Sequence, residues 1–455
     1  MKWHAGVAHL PDGVRRNVVI EADGGLFTRV TPDVSVPNED VVERLPGVVL
    51  PGFANAHSHA FHRALRGRTH GGGGTFWTWR EAMYAVASRL DPDTYYALAK
   101  ATYAEMALAG ITAVAEFHYL HHGPGGQPYA DPNAMSHAVI QAAADAGIRL
   151  TLLDTCYLAG GLDDSRHLPP AGAQMRFGDG TVEAWAERVT SLRGHLEGRP
   201  EHLRIGAAIH SVRAVPRPAL ATVGQVAGTL GRAGQDRAGA PLHVHLSEQP
   251  AENEACVSAY GMTPTGLLAS EGLLSPALTA VHATHLTARD IALLGGAGAT
   301  ACFCPTTERD LADGIGPARA LLDAGARLSL GSDQHAVIDL IEEARALEMH
   351  ERLASGRRGR LGPSDLLTAA TAHASIGWPG AGQIRVGAHA DLVAVRDDGV
   401  RTAGIDPAQI VYAASAEDVD TVVVSGRTVV SDGRHVLGNV AALLREAIQP
   451  LLGGH

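Results

Sequence analysis

Lysine is nearly missing from this chain of 455 residues: Lys2 and Lys100 are the only two. Cysteine is scarce as well. Cys156, Cys256, Cys302 and Cys304 are too few and too scattered for a disulfide framework, which suits a reducing compartment. Cys302 and Cys304, one residue apart, have the spacing of a strand and read as a buried pair. Positive charge is in deficit. A formal net charge of −11 argues against a nucleic-acid partner, which needs a basic footprint. No apolar run approaches the ~20 residues of a membrane span. The opening "MKWHAGVAHL" also lacks the charged region and apolar core of a secretory signal. No membrane partner is expected, and the chain is expected to be cytoplasmic. What is present, 45% hydrophobic and 19% charged residues, is the make-up of an ordinary globular protein.

Texture divides the chain. Residues 1–50 and again 383–437 hold short β-rich stretches punctuated by glycine, such as "NVVIEADGGLFTRV" and "VDTVVVSGRTVVSDGRHVLG". They predict a small β-sandwich domain built from both termini, with a helix over 438–455. Between them, residues 51–382 alternate. Eight apolar runs, "VVLPGFANAHSH", "ITAVAEFHYLHH", "IRLTLLDTCYLAG", "LRIGAAIHSVRA", "APLHVHLSE", "LTAVHATH", "ATACFCPTT" and "RLSLGSDQH", are separated by Ala/Leu-rich helical stretches. Strands alternating with helices argue for an α/β fold with a parallel sheet, and eight units argue for a closed (β/α)8 TIM-like barrel. Each run ends in polar, chemistry-bearing residues. In such a barrel the strand ends are where catalytic groups gather.

The first run ends in His57-x-His59, and residues two apart on a strand share a face. Two imidazoles suit zinc or iron(II) but do not hold a metal by themselves. Later strand ends supply His243, His245 and Glu248 in "HVHLSE", His282 and His285 in "VHATH", and Asp333 and His335 in "GSDQH". A catalytic metal site of this kind keeps one position for water and lowers its pKa toward neutrality. Asp333 is placed to touch the metal and to take the proton from that water. Some barrel hydrolases bridge two metals through a carboxylated lysine of a middle strand. With no lysine beyond Lys100, one divalent ion, Zn2+ or Fe2+, is expected.

Arginine at strand ends points to a carboxylate, which a planar guanidinium grips at two points. "HSVRAV" offers His210 and Arg213, and "TFWTWREAMY" offers Arg80 among aromatics. Together they favour a small dianionic substrate over a neutral nucleobase. Tyr119, in "EFHYLHH", is placed to donate to a substrate carboxylate or imine. His62 lies past the end of the first run, off the His57/His59 register, and reads as a substrate contact. Gly71–Gly74 reads as a loop near the mouth, a lid or a tolerated insertion.

The segments "PGFANAHSH", "HLSE", "VHATH", "GSD" and "GQIRVGAHADLVAV" resemble the amidohydrolase superfamily, in its single-metal, deaminase-like branch. The resemblance covers nearly the whole chain. It implies His57, His59, His245 and Asp333 as metal ligands. It further implies His282 hydrogen-bonding the attacking water or the developing oxyanion, and Glu248 moving protons to the leaving nitrogen. With "FWTWREAMY", "EFHYLHH", "HSVRAV" and "DGIGP" included, the set resembles the formimidoylglutamate deiminase family of histidine degradation. That resemblance implies hydrolysis of N-formimino-L-glutamate to N-formyl-L-glutamate and ammonia by a metal-activated water. It assigns Arg80, Tyr119, His210 and Arg213 to the substrate, and a homodimer is expected. Some family members carry Gln where this chain has His62. The rival expectations are another deaminase on the same core, acting on guanine, an aminotriazine or N-formimino-aspartate, and a barrel kept as a scaffold.

Overall fold

The structure, a computed structural model, describes residues 1–34, 42–71, 76–163, 166–196, 201–230 and 240–452. The chain opens with β1 (Lys2–Leu10), β2 (Gly13–Asp23), β3 (Leu26–Thr31) and β4 (Glu43–Pro51). Then come β5 (Phe53–Ser58), β6 (Ile111–His118) and β7 (Arg149–Cys156). A small hairpin follows, β8 (Gly161–Asp163) and β9 (Arg166–Leu168). Next are β10 (Leu203–Ile209), β11 (Leu242–Leu246), β12 (Leu278–His282), β13 (Thr300–Phe303) and β14 (Arg327–Leu330). The last strands are β15 (Leu392–Val395), β16 (Val419–Val424), β17 (Arg427–Ser431) and β18 (Arg434–His435).

All eight apolar runs form strands, and they lie in one parallel sheet in sequence order, β5-β6-β7-β10-β11-β12-β13-β14. A bridge between Ser58 and Asp333 joins the first strand to the segment after the last and closes the (β/α)8 barrel. Every residue of β5, β6, β7, β11, β12 and β13 is buried, as expected for strands with a packed interior and helices outside. The outer helices start where the sequence offers caps. In Pro92–Leu108, for example, Asp91 accepts from Thr94 N at 2.8 Å and proline occupies the first turn.

The strands from both termini form the small β domain, hydrogen-bonded as one continuous sheet in the order β18-β17-β16-β15-β4-β1-β2-β3. Period-two alternation divides its side chains. Trp3, Phe27, Leu45, Val49, Leu392 and Val423 make a core of its own, while Val48, Leu50, Val393, Val395 and Val422 pack into the barrel core. A buried ion pair between Arg149, at the start of β7, and Asp391, just before β15, ties the two units together. Gly47 (φ +61°) lies where a Cβ would run into the Val395 carbonyl, so β4 can approach β15 only with glycine there. Among the described residues, no helix is long and apolar enough to cross a membrane. The glycine run expected near the mouth falls at Gly71–Gly74, of which positions 72–74 lie outside the described residues.

Candidate active site

The C-terminal ends of the barrel strands bring the sequence-predicted residues together. His57 and His59 face the barrel axis from the end of β5. The His57 carbonyl accepts from Asp333 N at 3.0 Å, and His59 N donates to the Asp333 carbonyl at 3.2 Å. The Asp333 carboxylate thereby sits 3.4 Å from Nε2 of each histidine. His245, on β11, places its Nε2 3.1 Å from that of His57. Two backbone carbonyls fix the ring tautomers: His59 Nδ1 donates to Phe117 O at 2.9 Å, and His245 Nδ1 donates to His210 O at 2.8 Å. The Nε2 lone pairs of both rings are therefore left pointing inward. Burial, followed by the neighbouring imidazoles, holds His57 and His245 well below the usual histidine range, and burial brings His59 down to about 4. Neutral imidazoles and a carboxylate converging with their lone pairs inward are what a divalent cation requires. Two sets of donor atoms, His57/His59/Asp333 and His57/His245/His282, each lie within 4.8 Å.

His282 ends β12 with its backbone in the left-handed region (φ +67°), as does Asp333 (φ +41°). Such conformations are costly for residues with a Cβ and gather at functional sites. His282 lies among carboxylates, with Glu248 Oε1 at 3.7 Å and Asp333 Oδ2 at 3.8 Å from Nε2, and Glu308 Oε1 at 3.4 Å from Nδ1. Burial opposes a charge on this ring, but Glu248, Glu308 and Asp333 outweigh it and raise the pKa well above the usual value. A metal cation at the neighbouring donors would push the other way.

The mouth opens into a cavity of 380 Å3. His59, His62, Arg80, Tyr119, His210, Arg213, His245, Glu248, His282 and Asp333 all line it; His57 lies behind them. His62 Nε2 is 2.9 Å from the Tyr119 hydroxyl, whose pKa burial raises well above the ordinary phenol value. The Arg80 guanidinium lies over the Tyr84 ring, 5.7 Å from its centroid. Arg213 is held between two acids, with Nη2 3.5 Å from Glu248 and Nε 3.6 Å from Glu252. A second cavity of 980 Å3 lies at the opposite, N-terminal ends of the strands, near Pro51, Thr300 and Arg327, and contains none of these residues.

Sequence reasoning missed Glu308 and Glu252, both buried beside residues it had singled out. Glu308 accepts from Cys304 N at 2.8 Å, four residues back, while facing His282. Pro305 at the first helical position marks the helix start, but the four-residue spacing is not that of a capping box and does not single out Glu308. His243 and His285 do not belong to the donor sets: Nε2 of His243 donates to the Ser375 carbonyl at 3.2 Å, and Nε2 of His285 to that of Asp313 at 2.7 Å.

Inward-facing imidazoles and an aspartate at the strand ends of a (β/α)8 barrel define a metal-dependent hydrolase architecture. The chain belongs to the amidohydrolase family, whose model matches residues 48–429, and it is a hydrolase of carbon–nitrogen bonds. It is 39% identical over 445 residues to a formimidoylglutamate deiminase of Pseudomonas aeruginosa, covering 94% of each chain. An 8-oxoguanine deaminase of the same organism is 31% identical over 419 residues, with 90% of this chain and 88% of that protein covered. The crystal structure of an amidohydrolase from Brucella melitensis superposes with a TM-score of 0.90 at 33% identity, covering 99% of this chain and 100% of that one.

Proposed function

We propose that this enzyme is a deiminase that converts N-formimino-L-glutamate and water to N-formyl-L-glutamate and ammonia. The observation that carries the reading is a shared cavity: two guanidinium groups, Arg80 and Arg213, line the same 380 Å3 space as the metal-donor cluster. A substrate with carboxylates at one end and an amidine at the other fits that polarity. The 39% identity to a formimidoylglutamate deiminase over 94% of the chain supports it.

In this reading His57, His59, His245 and Asp333 hold one divalent ion, Zn2+ in preference to Fe2+. When bound, the metal supplies a nucleophile at neutral pH by lowering the pKa of water, and it polarises the group under attack. Asp333 takes the proton from the attacking water. His282 Nε2 donates to the oxygen that becomes negative as the formimino carbon turns tetrahedral. Glu248 delivers a proton to the terminal nitrogen, which leaves as ammonia. Arg80 and Arg213 hold the two carboxylates, while His62, Tyr119 and His210 orient the chain between them; such positioning converts the encounter into a near-unimolecular event.

The test is a comparison of kcat/KM for N-formimino-L-glutamate, N-formimino-L-aspartate, guanine and 8-oxoguanine, scoring ammonia and formamide separately, with metal analysis of the same sample. Ammonia released fastest from N-formimino-L-glutamate is the expected result. Ammonia from a purine in its place, or formamide in place of ammonia, would overturn the reading.

A further inference from the structure

The barrel closes on very little backbone pairing. Neighbouring strands elsewhere share ladders, but β5 meets the segment after β14 only around the Ser58–Asp333 bridge, where Ser332 N and Asp333 N donate to the His57 carbonyl and His59 N to that of Asp333. That seam is also where the proposed ligands face each other, His57 and His59 on one side and Asp333 on the other. These few bonds hold the backbone at one point only, so other contacts must brace the seam against movement.

Side chains on the outer face of the strands do so. On β5, Ser58 points away from the barrel interior because its neighbours His57 and His59 point in. Its Oγ is 2.7 Å from Glu116 Oε2 and 3.3 Å from His335 Nε2. His335 Nδ1 is 2.9 Å from Ser332 Oγ. Ser332 Oγ is 2.7 Å from Asn55 Nδ2, and Ser332 N lies 3.0 Å from Asn55 Oδ1. The Glu116 carboxylate also takes Ala60 N at 2.6 Å. All of these side chains are buried.

The donor directions can be assigned throughout. Asn55 Oδ1 must accept from the Ser332 amide, so its Nδ2 donates to Ser332 Oγ. Ser332 then donates to His335 Nδ1, His335 Nε2 donates to Ser58 Oγ, and Ser58 donates to Glu116. Burial raises the Glu116 carboxyl to about 7; in its ionised form it only accepts, and it ends the chain. Each hydroxyl and ring nitrogen in it is used, and such fully satisfied buried networks rigidify what they connect.

We infer that Glu116 is a positioning residue for the metal site: it anchors a polar seam, Asn55–Ser332–His335–Ser58–Glu116, that holds the His57/His59 strand end against Asp333. Its two oxygens bind residues 58 and 60, on either side of His59, so the carboxylate clamps that ligand's backbone directly. The inference rests on the reading of His57, His59 and Asp333 as metal ligands.

Metal affinity by chelator competition, and amide hydrogen exchange of the metal-free protein, test it in E116A, E116Q and H59A. E116A should weaken metal binding about 10- to 100-fold, the usual cost of losing an outer partner of a ligand. It should speed exchange at residues 57–60 and 332–335 while leaving β10 and β11 protected. E116Q keeps an acceptor for Ala60 N but must reverse the donor chain, and it should lose less affinity than E116A. Unchanged affinity and exchange in E116A, or exchange raised uniformly through the barrel, would overturn the proposal. If E116A does not fold, E116Q with wild-type affinity and wild-type exchange would do the same. Full metal affinity in H59A would show instead that the ligand reading had failed, and the exchange data would still decide whether Glu116 clamps the seam.

Discussion

Arg213 gives the sharpest numerical test because removing it has two separable consequences. Its guanidinium lines the cavity on one side and faces Glu252 on the other, 3.6 Å away. Glu252 is 1% exposed, and Arg213 is the cation that faces its carboxylate. In R213A the substrate loses a charge-assisted hydrogen bond worth about 1.5–3 kcal/mol, so kcat/KM for a dicarboxylate should fall about 10- to 150-fold. The protein loses the counter-ion of a buried acid, at a cost of about 3–5 kcal/mol. The sign with pH follows from Glu252. Burial already raises its carboxyl pKa above 4.5 with Arg213 present, and losing the arginine raises it further. A raised acid holds its proton in the folded state. The stability penalty should therefore be absent below about pH 4.5, grow as pH rises from the parent's folded value toward the variant's, and level off above it. Denaturant unfolding at pH 5 and pH 8, beside steady-state kinetics, reads both effects. R213A/E252Q should recover most of the stability and none of the activity. An R213A enzyme as stable as its parent at pH 8, or a double variant no more stable than R213A, would refute the reasoning.

Three further outcomes follow from the same geometry. H282N should lower kcat by about 10²–10⁴-fold with KM little changed; a change confined to KM would contradict its assigned role. In G331A the new Cβ would lie 2.7 Å from His57 Cβ and 2.9 Å from Cys304 Sγ. It should displace the ligand strand and weaken metal binding measurably by chelator competition, and parental affinity would show that the strand end yields at no cost. R149M breaks the buried pair with Asp391 that joins barrel and β domain. It should cost about 3–5 kcal/mol, read by equilibrium unfolding, and a loss under ~1 kcal/mol would show the pair to be dispensable.

The barrel and its strand-end histidines and aspartate were legible because they obey short-range rules. Each of the eight runs is apolar until its end. His57 and His59 sit one period-two step apart, and His245, His282 and Asp333 recur at the ends of later runs. The carboxylates that organise the site were not legible in the same way. Glu252 falls in the first turn of the helix Pro250–Tyr260, where an acid ordinarily faces water and the helix dipole; here tertiary packing, with Arg213 3.6 Å away, buries it. Ser58 and Glu116 lie on strands far apart in sequence, and their contact depends on which strands become neighbours. The β8–β9 hairpin arises from "GLDDSRHL", too short and too polar to show alternation.

In the proposed function, one metal site built from strand-end imidazoles hydrolyses the formimino group of a dicarboxylate. Ammonia release from N-formimino-L-glutamate, measured on the same protein before chelation, after chelation and after adding back Zn2+, tests it most directly. Rapid release, loss on chelation, and recovery at about one metal per chain are expected, with N-formyl-L-glutamate formed in equal amount. Release that persists in the fully chelated protein, or no release from this substrate at any metal loading, would contradict it.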